Sequence, residues 1–382
     1  MSEIYDAIVV GAGPGGSSAA LGLARGGANV LLLDKFDFPR DKPCGDFIGR
    51  QAFQLTLKLG VPAARFTEYP PLTGIKMKTP SMRDLDIPGA RPGASSRVIP
   101  RTVFDNALVE LATTAGAKFK KAHAQELVLQ DGQAAGIKDK QGNVYQAPLI
   151  IGADGWSSVV ARSMGLLLND KDTTGVAVRA YFEGVKGLDD KVAFHFPETI
   201  LPGYGWLFPV GRYGCANVGL GLIAEEYSKN DKGNLGELFE RFIAQTPALA
   251  GAKMVSPKRS WPLALGWQPN RPLVGPGTML VGDAACLVGP LTGAGIYPAM
   301  RSGLTAAETA LQALSTGDYS VTNLKSYESR VRREFRWRLT AESKAQHWLR
   351  DPKHMDWALC NPLHLPTSLS NAITTNLLFN LG

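Results

Sequence analysis

Residues 8–16 read Ile-Val-Val-Gly-Ala-Gly-Pro-Gly-Gly, and this stretch decides the fold. A short apolar run leads directly into glycines, as a buried strand does where it turns into a helix. Gly11, Gly13 and Gly16 have the GxGxxG spacing of dinucleotide-binding turns. The first glycine permits the tight turn, the second lets the backbone approach a pyrophosphate, and the third lets the helix pack closely on the strand. The pyrophosphate then sits at the N-terminus of the helix.

The residues after this turn complete a strand–turn–helix–strand unit over 5–34. Ala20, Leu23 and Val30 supply its apolar packing face. Asp34 ends the second strand, where an acidic side chain accepts hydrogen bonds from a ribose diol. The pattern predicts a Rossmann-like nucleotide-binding unit, and both NAD and FAD satisfy it.

Composition and charge place the chain among ordinary globular proteins. Of its 382 residues 45% are hydrophobic and 20% are charged, which is enough for a large core. The net charge of +7 favours anionic partners, but no nucleic-acid recognition motif accompanies it, so no nucleic-acid partner is predicted. Much of the excess lies in residues 325–353. We interpret this stretch either as a solvated helix face or as a surface for peripheral contact with an anionic membrane or an electron carrier protein.

Cysteine and histidine spacing argues against metal and dithiol chemistry. The four cysteines form no CxxC pair, and no two of the five histidines have metal-ligand spacing, so no metal site is predicted. The sequence shows neither a signal peptide nor an apolar run of the ~18 residues that a membrane span needs. These features predict a cytoplasmic protein, with peripheral membrane association as an addition.

Hydrophobic periodicity predicts a split α/β domain with an inserted sheet. We expect loops and short strands over 35–100, a helix over 102–116, a β-meander over 118–151, a sheet over 175–225, a helix within 226–250 and a long helix over about 295–314. The predicted nucleotide-binding domain comprises 1–70, 98–170 and 272–318, the substrate-binding sheet domain 71–97 and 171–271, and a C-terminal helical region 319–382.

Two later segments carry a resemblance to a known superfamily. Residues 152–158 read Gly-Ala-Asp-Gly-Trp-Ser-Ser, and residues 282–285 read Gly-Asp-Ala-Ala. With Arg101 and Asp105 at a helix start, they resemble the GADG-x-x-S, GDA and R-x-x-x-D elements of FAD-dependent proteins related to p-hydroxybenzoate hydroxylase. The resemblance implies a Rossmann-like (GR2-type) FAD-binding domain that is interrupted by an antiparallel-sheet substrate domain and followed by a helical C-terminal region.

The same resemblance implies which residues hold FAD. In that superfamily the Asp of GDA binds the ribityl chain, and the next helix points its N-terminus at the N1–C2=O edge of the flavin, where the reduced ring carries negative charge. Asp34 replaces the common Glu, and Arg162 stands one place late, so no role is assigned to it. The predicted cofactor-binding residues are Gly11, Gly13, Pro14, Gly15, Gly16, Asp34, Lys35, Cys44, Gly45, Arg101, Asp154, Gly155, Gly282, Asp283, Pro290, Gly293, Ala294, Gly295 and Ile296.

Three segments resemble one branch of that superfamily, the geranylgeranyl reductase family. Residues 40–46 (Arg-Asp-Lys-Pro-Cys-Gly-Asp) resemble its K-x-C-G element, residues 204–209 (Tyr-Gly-Trp-Leu-Phe-Pro) its [YF]-x-W-x-F-P element, and residues 290–303 its flavin helix. The likeness covers about residues 1–310. It implies that a long-chain isoprenoid is the substrate and that reduced FAD delivers a hydride to its isolated C=C double bonds.

This resemblance also implies roles for the remaining candidate residues. An unactivated alkene has no carbonyl to polarise, so a well-placed acid and a dry cavity are needed. Cys44 and Tyr204 are the predicted catalytic residues. Cys44 is predicted to act on the flavin side, either as proton donor, because a thiol near neutral pH is mostly protonated, or by shaping the redox state of the flavin. Tyr204 is predicted to hand on a proton. Tyr204, Trp206, Phe208 and Pro209 are predicted to line an apolar channel for the substrate. The alternatives are a buried structural cysteine and an ordinary sheet core.

Two other functions stay open from the sequence. A flavin-dependent monooxygenase or halogenase acting on an aromatic or specialised metabolite is one, because the same scaffold hosts these chemistries. Against a halogenase, residues 205–209 lack the second Trp of a G-W-x-W-x-I-P run. A non-catalytic flavin-binding or lipid-carrier protein is the other. The electron donor is predicted to be NADPH or reduced ferredoxin, since the chain has one dinucleotide fingerprint and FAD uses it.

Overall fold

A computed structural model of the chain describes residues 3–88, 96–167, 173–211, 214–225 and 234–361. Its strands are β1 (Ala7–Val10), β2 (Val30–Asp34), β3 (Phe47–Ile48), β4 (Gly74–Lys78), β5 (Asp84–Pro88), β6 (Arg97–Val98), β7 (Lys118–Lys121), β8 (Ala124–Gln130), β9 (Gln133–Asp139), β10 (Val144–Gln146), β11 (Leu149–Gly152), β12 (Thr174–Glu183), β13 (Lys191–His195), β14 (Tyr204–Val210), β15 (Cys215–Ile223), β16 (Lys253–Met254), β17 (Arg259–Ala264), β18 (Val274–Gly275) and β19 (Thr278–Leu280). Its helices of five or more residues are α1 (Pro14–Arg25), α2 (Arg50–Leu59), α3 (Arg101–Thr114), α4 (Val159–Ser163), α5 (Leu235–Gln245), α6 (Ile296–Thr316), α7 (Val321–Trp348) and α8 (Pro352–Cys360).

The nucleotide-binding unit is built on a six-stranded sheet with the order β18-β19-β11-β1-β2-β7. Strand β1 lies parallel to β2 on one side and to β11 on the other. Every residue of these three strands is buried. Strands covered on both faces are continuous apolar runs in sequence, which is why these three were recognisable there. The Rossmann-like unit predicted over 5–34 is confirmed.

The glycine turn between β1 and α1 has no room for side chains at two positions. Gly11 has a φ of +98°, and a Cβ there would overlap the carbonyl group of Ala153, directly after β11. A Cβ at Gly16 would overlap the carbonyl oxygen of Gly11. Residues 152–155 therefore lie against the turn, and the fold joins two motifs that are far apart in sequence.

Helices α1 and α6 cross at very short range. A Cβ at Gly303 of α6 would overlap the carbonyl oxygen of Gly15, and a Cβ at Gly15 would lie 3.2 Å from the carbonyl oxygen of Ala299. Such an approach is possible only where both helices carry small residues. The first turns of the two helices therefore lie side by side, next to the glycine turn.

The second unit is an eight-stranded sheet with the order β16-β12-β15-β14-β13-β4-β5, and β17 pairs with β12. Alternate residues of a strand point to opposite faces. On β14, a Cβ at Gly205 would overlap the ring of Phe242 in α5, so this face packs against that helix. Tyr204, Trp206 and Phe208 therefore point to the other face, which is free to line a cavity.

Helices α7 and α8 cover part of that second face. Leu349 at the end of α7 and Met355 of α8 belong to the same apolar cluster as Phe194 and Trp206 of the sheet. Helix α7 also reaches the nucleotide-binding unit, where the hydroxyl of Tyr327 donates a hydrogen bond to the carbonyl oxygen of Leu280 in β19. None of the described helices combines the length and the apolarity that crossing a bilayer requires.

The predicted fold class, an interrupted Rossmann-like domain with an inserted sheet and C-terminal helices, is confirmed. The helices expected over 102–116, within 226–250 and over about 295–314 are found as α3, α5 and α6. The meander expected over 118–151 is correct for β8–β10, but β7 and β11 at its two ends belong to the parallel sheet. The predicted C-terminal helical region extends to residue 382, and its last part, residues 362–382, lies outside the described residues.

Helix α2 contradicts the expectation of only loops and short strands over 35–100. It buries four side chains and begins with two polar residues, so its apolar pattern is too sparse to be recognised. The signal that could have found it is Gly60, which caps its C-terminus in the left-handed conformation with a φ of +105°.

The crossing of α1 and α6 can be tested with Gly303→Ala. In a helix interior this change alone should stabilise the protein by about 0.5–1 kcal/mol. Because the added Cβ would collide with the carbonyl oxygen of Gly15, we expect instead a loss of about 1–3 kcal/mol, as overpacking usually costs. Chemical denaturation measures the difference, and a more stable variant would show that the helices do not meet there.

Candidate functional site

A cavity lies where the two units meet. Its walls come from the second face of the eight-stranded sheet, from residues 42–52, from residues 288–299 and from α7. It brings together many of the residues predicted from sequence, namely Pro14, Cys44, Gly45, Arg101, Tyr204, Trp206, Phe208, Asp283, Pro290, Gly293, Ala294, Gly295 and Ile296.

Two ion pairs connect residues 40–46 to the nucleotide-binding unit. We call these residues the 40–46 segment. Arg40 pairs with Asp105 of α3 at 3.0 Å between Nη1 and Oδ2. Lys42 pairs with Asp283 at 3.5 Å between Nζ and Oδ2. The segment therefore lies across the cofactor side of the cavity, between the helix start and the GDA motif that sequence analysis identified.

The same segment is fastened to the sheet through Asp41. This carboxylate pairs with Arg179 of β12 and with Arg259 of β17, the latter at 3.1 Å from Nε. Arg179 is almost fully buried, and its guanidinium lies 4.6 Å from the ring centre of Tyr181. A buried guanidinium needs an anionic partner, so Asp41 is required where it is.

A buried amide, Asn217 of β15, connects the segment to the substrate side. Its Nδ2 donates to the carbonyl oxygen of Cys44 at 2.7 Å and to Oδ2 of Asp46 at 2.8 Å. Its Oδ1 accepts a hydrogen bond from the indole of Trp206 at 2.9 Å. Asp46 also accepts a hydrogen bond from the hydroxyl of Tyr181. One amide thus fixes the backbone of one predicted catalytic residue and the ring of one predicted substrate-binding residue.

Cys44 faces a cationic side chain. Arg101 is buried and binds Asp105 in bidentate fashion, at 2.7 Å from Nε to Oδ1 and 2.8 Å from Nη2 to Oδ2. Burial opposes the charge of Arg101, but the charge of Asp105 and contacts with Asp105 and Cys44 outweigh it and raise the pKa of the guanidinium. The thiol therefore lies beside a permanent positive charge.

Tyr204 connects the sheet to the loop that leads into α6. This loop comprises residues 289–295 and is called the 289–295 loop. Its hydroxyl donates to the carbonyl oxygen of Thr292 at 2.6 Å, and a Cβ at Gly293 would lie 3.4 Å from the same hydroxyl. Burial, followed by the charges of Cys44 and Glu342, raises the pKa of Tyr204 above its ordinary value. The hydroxyl is therefore neutral, and Tyr204 lines the same cavity as Cys44.

Aromatic rings form an apolar row on the cavity face of the sheet. Trp206 and Phe208 stack with ring centres 6.1 Å apart, and Phe194 meets Phe208 edge-on at 5.1 Å. The indole lies directly on the backbone of β15, because a Cβ at Gly219 would overlap it. Pro209, also predicted to bind substrate, is not part of this row, since alternation along β14 turns it to the opposite face.

The residues around the glycine turn fit a dinucleotide. The nearest atom to a Cβ on Gly13 is Nη2 of Arg40, at 3.7 Å, so a guanidinium faces the position where a pyrophosphate would sit. Asp34 accepts hydrogen bonds from the backbone N–H of Ala12 at 2.8 Å and of Phe36 at 2.9 Å. Its carboxylate keeps further acceptor capacity for a ribose.

Three predicted cofactor contacts have a structural task in the fold. Asp154 accepts hydrogen bonds from the hydroxyl of Ser158 at 2.5 Å and from the N–H of Val159 at 2.6 Å, so its side chain caps α4. Gly155 and Gly282 both have positive φ and shape turns. Lys35 is exposed, and its Nζ lies 5.5 Å from the ring centre of Trp261. These four remain predictions as cofactor contacts.

Sequence analysis missed a second group of site residues. Arg179 and Asn217 gave no signal, because they are single polar residues in apolar strands. Arg338, Glu342 and Gln346 were counted with the basic stretch 325–353, yet they lie on one face of α7, and Arg338 and Gln346 line the cavity. Their spacing of four residues predicts a shared helix face but does not distinguish a buried face from a solvated one.

This fold and this site define an FAD-dependent oxidoreductase. Residues 4–343 match the protein family described as FAD binding domain, and the chain belongs to it. The solved structure of a geranylgeranyl bacteriochlorophyll reductase-like protein from Thermoplasma acidophilum is similar with a TM-score of 0.87, at 26% identity, over 98% of this chain and 97% of that one. A flavin-dependent brominase at 20% identity, with a TM-score of 0.76 over 94% and 91%, shows a shared fold.

Curated relatives identify the branch. A digeranylgeranylglycerophospholipid reductase of Methanopyrus kandleri is 34% identical over 351 residues, which covers 87% of each chain. A menaquinone reductase of Mycolicibacterium smegmatis is 32% identical over 322 residues, which covers 81% of this chain and 76% of that one. The chain is a member of the geranylgeranyl reductase family of FAD-dependent oxidoreductases.

The buried carboxyl of Asp46 should make stability depend on pH. Burial raises its pKa to about 6, against the partly opposing hydrogen bonds of Tyr181 and Asn217 and the charges of Arg179 and Arg101. The folded state therefore binds a proton at the Asp46 carboxyl more tightly than the unfolded chain does, since the pKa of an unperturbed Asp is about 4. The contribution of the group to stability is complete below pH ~4 and is lost as the pH rises to about 6.

We expect Asp46→Asn to remove this loss, because an amide cannot ionise. The Tm of the variant minus that of the wild type should increase between pH ~4 and 6 and then stay constant. Thermal unfolding of both apo-proteins across this range measures the difference. A difference that does not change with pH would show that Asp46 does not titrate there.

Proposed function

We propose that this protein is an FAD-dependent reductase that saturates C=C double bonds of a polyprenyl, geranylgeranyl-type chain. The observation that carries the proposal is the position of Cys44 in a cavity that is walled by the aromatic row of the sheet and bounded by the 289–295 loop. Relatives named digeranylgeranylglycerophospholipid reductase and menaquinone reductase support an isoprenoid chain as the substrate.

The chemistry divides between the cofactor and the chain. Bound FAD, once reduced, supplies a hydride for one alkene carbon. The Sγ of Cys44 is the proposed proton donor for the other carbon, and Arg101 beside it stabilises the thiolate that is left. Tyr204 is the second proposed catalytic residue, because its hydroxyl lies in the same cavity as Cys44.

The character of the cavity wall favours a hydrocarbon substrate. Trp206 would offer a hydrogen-bond donor, but its indole N–H is taken by Asn217, and Phe208 and Phe194 have none to offer. The row therefore presents ring faces alone, which suit an isoprenoid and exclude water from the reacting carbons. A monooxygenase for a polar aromatic substrate would need directional polar groups here.

Electrons are proposed to come from NADPH or reduced ferredoxin. Only one dinucleotide-binding turn is present among the described residues, and FAD takes it. The donor must therefore reach the flavin from outside, as a transiently bound nicotinamide or as a docked carrier protein.

A peripheral membrane contact is proposed for one row of α7. Arg333, Trp337 and Lys344 have the spacing of one helix face, all three are exposed, and Trp337 is 59% accessible. Within the described part of the chain, Arg333 and Lys344 form no ion pair. Tryptophan prefers the bilayer interface and basic side chains attract anionic lipid, so such a row suits a membrane that holds the substrate.

The reaction is tested anaerobically with enzyme whose flavin has been reduced by dithionite. Adding a geranylgeranyl lipid should reoxidise the flavin and add two hydrogens per double bond, which mass spectrometry detects. For Cys44→Ala we expect the step to slow about 10²-fold or more, as loss of a general acid usually does, with FAD still bound.

Cys360→Ala is the matched control, since Cys360 at the end of α8 is not among the residues that line the cavity, and it should react at the wild-type rate. Flavin that stays reduced and lipid that stays unchanged would contradict the reductase proposal. Oxygen consumption that depends on an aromatic substrate would support a monooxygenase in its place.

The membrane contact is tested by sedimentation with lipid vesicles. We expect wild-type protein to bind vesicles that contain anionic lipid more strongly than neutral ones, and to lose this preference in about 1 M salt. Trp337→Ala combined with Arg333→Glu should weaken the binding about tenfold or more. Trp357→Ala, an exposed tryptophan of α8 outside the row, is the control. Equal binding by both variants would contradict the assignment.

A further inference from the structure

Helix α7 forms hydrogen bonds with the 289–295 loop, although sequence analysis found no motif in this helix. Glu342 is completely buried, and its Oε2 accepts a hydrogen bond from the hydroxyl of Thr292 at 3.0 Å. Gln346, one turn further on, donates from Nε2 to the carbonyl oxygen of Pro290. A Cβ at Gly289 would overlap the carboxylate of Glu342, so this group packs directly on the loop backbone.

The loop is short of internal partners, which explains the need for an external acceptor. Two backbone bonds close it on itself, from Gly293 N–H to Gly289 at 2.9 Å and from Gly289 N–H to Ala294 at 3.1 Å. The amides of Leu291 and Thr292 instead reach the carboxyl group of Glu342. Backbone N–H groups that are buried without an acceptor are costly, so this carboxyl group satisfies what the loop cannot satisfy itself.

The eight-stranded sheet also forms a hydrogen bond with the loop. Tyr204 of β14 donates to the carbonyl oxygen of Thr292, the residue whose hydroxyl binds Glu342. The same hydroxyl accepts a hydrogen bond from the N–H of Ala294 at 3.3 Å. Thr292 is therefore clamped between the sheet and α7, and the two residues after Ala294 begin α6.

We propose that Glu342 is a positioning residue for FAD, which acts through Thr292 to fix the 289–295 loop and the N-terminus of α6 against the flavin. A buried carboxyl group is expensive, and burial raises the pKa of Glu342 even though Arg338 lies 3.8 Å away. The hydrogen bonds that its acceptor oxygens receive offset this cost, and an apolar side chain would supply none of them. The inference rests on FAD binding and is independent of the substrate.

The consequence concerns cofactor affinity. If the loop loses its contacts with α7, the amides at the start of α6 are no longer preorganised. The flavin must then order them when it binds. FAD affinity should therefore fall while the fold survives, because the glycine turn and the parallel sheet do not involve α7 at this point.

The experiment measures FAD dissociation constants by titrating apo-protein, together with the visible spectrum of the bound flavin. We expect Glu342→Ala to raise the dissociation constant about tenfold or more, as loss of a hydrogen bond to a charged group does. Thr292→Val should raise it in the same direction, and Thr292→Ser, which restores the hydroxyl, should return it to within about twofold of wild type.

Two controls separate positioning from general stability. Glu328 lies on the same helix and is also buried. It pairs with Arg332 at 2.8 Å and accepts a hydrogen bond from the backbone N–H of Leu273, which lies outside the loop. Glu328→Ala should lower the Tm without changing FAD affinity. Thr309→Val is the matched control for Thr292→Val, because Thr309 is a buried threonine within α6.

The inference is overturned by either of two results. One is a folded Glu342→Ala protein that binds FAD within about twofold of wild type. The other is an equal loss of affinity in Glu328→Ala, which would assign the effect to the stability of α7. Thr292→Val keeps the question decidable if Glu342→Ala does not fold. Since no substrate is added, a failure of the proposed reductase activity would leave this measurement unaffected.

Discussion

The buried amide of Asn217 is the contact on which the rest of the site depends. It has three hydrogen bonds, and they go to Cys44, Asp46 and Trp206. A buried amide is tolerated only when its polar atoms are paired, so the sheet and the 40–46 segment cannot move independently. The residue proposed to move a proton and the ring proposed to hold the substrate are thereby set by the same side chain.

Around this contact, the charged side chains of the 40–46 segment take part in two ion-pair groups that are separate from the aromatic row. Asp41 and Asp105 are each shared by two arginines. Each group of three therefore retains one positive charge, and Arg40 of the Asp105 group faces the turn where a pyrophosphate would bind. The aromatic row carries no charge. This division allows one cavity to hold an anionic cofactor and a hydrocarbon chain together.

How far sequence could predict the site depends on what each residue does. Gly11 and Gly16 were recognisable because steric demands at a turn allow one residue type. Cys44, Tyr204 and Trp206 were found through a family resemblance, and the structure places all three at one cavity. Glu342 was not found, because acid, base and amide at spacings of four in a helix are typical of a solvated face.

The sequence by itself determined the nucleotide-binding unit, because apolar runs, glycine spacing and a terminal acid are local patterns with local causes. A resemblance in sequence also predicted that the flavin site is assembled from three distant segments. Only the tertiary structure decided that Pro209 faces away while Trp206 faces in, since strand alternation becomes a direction only when α5 covers one side. It likewise decided that α7 supports the 289–295 loop, because a contact between residues fifty positions apart depends on packing and not on pattern.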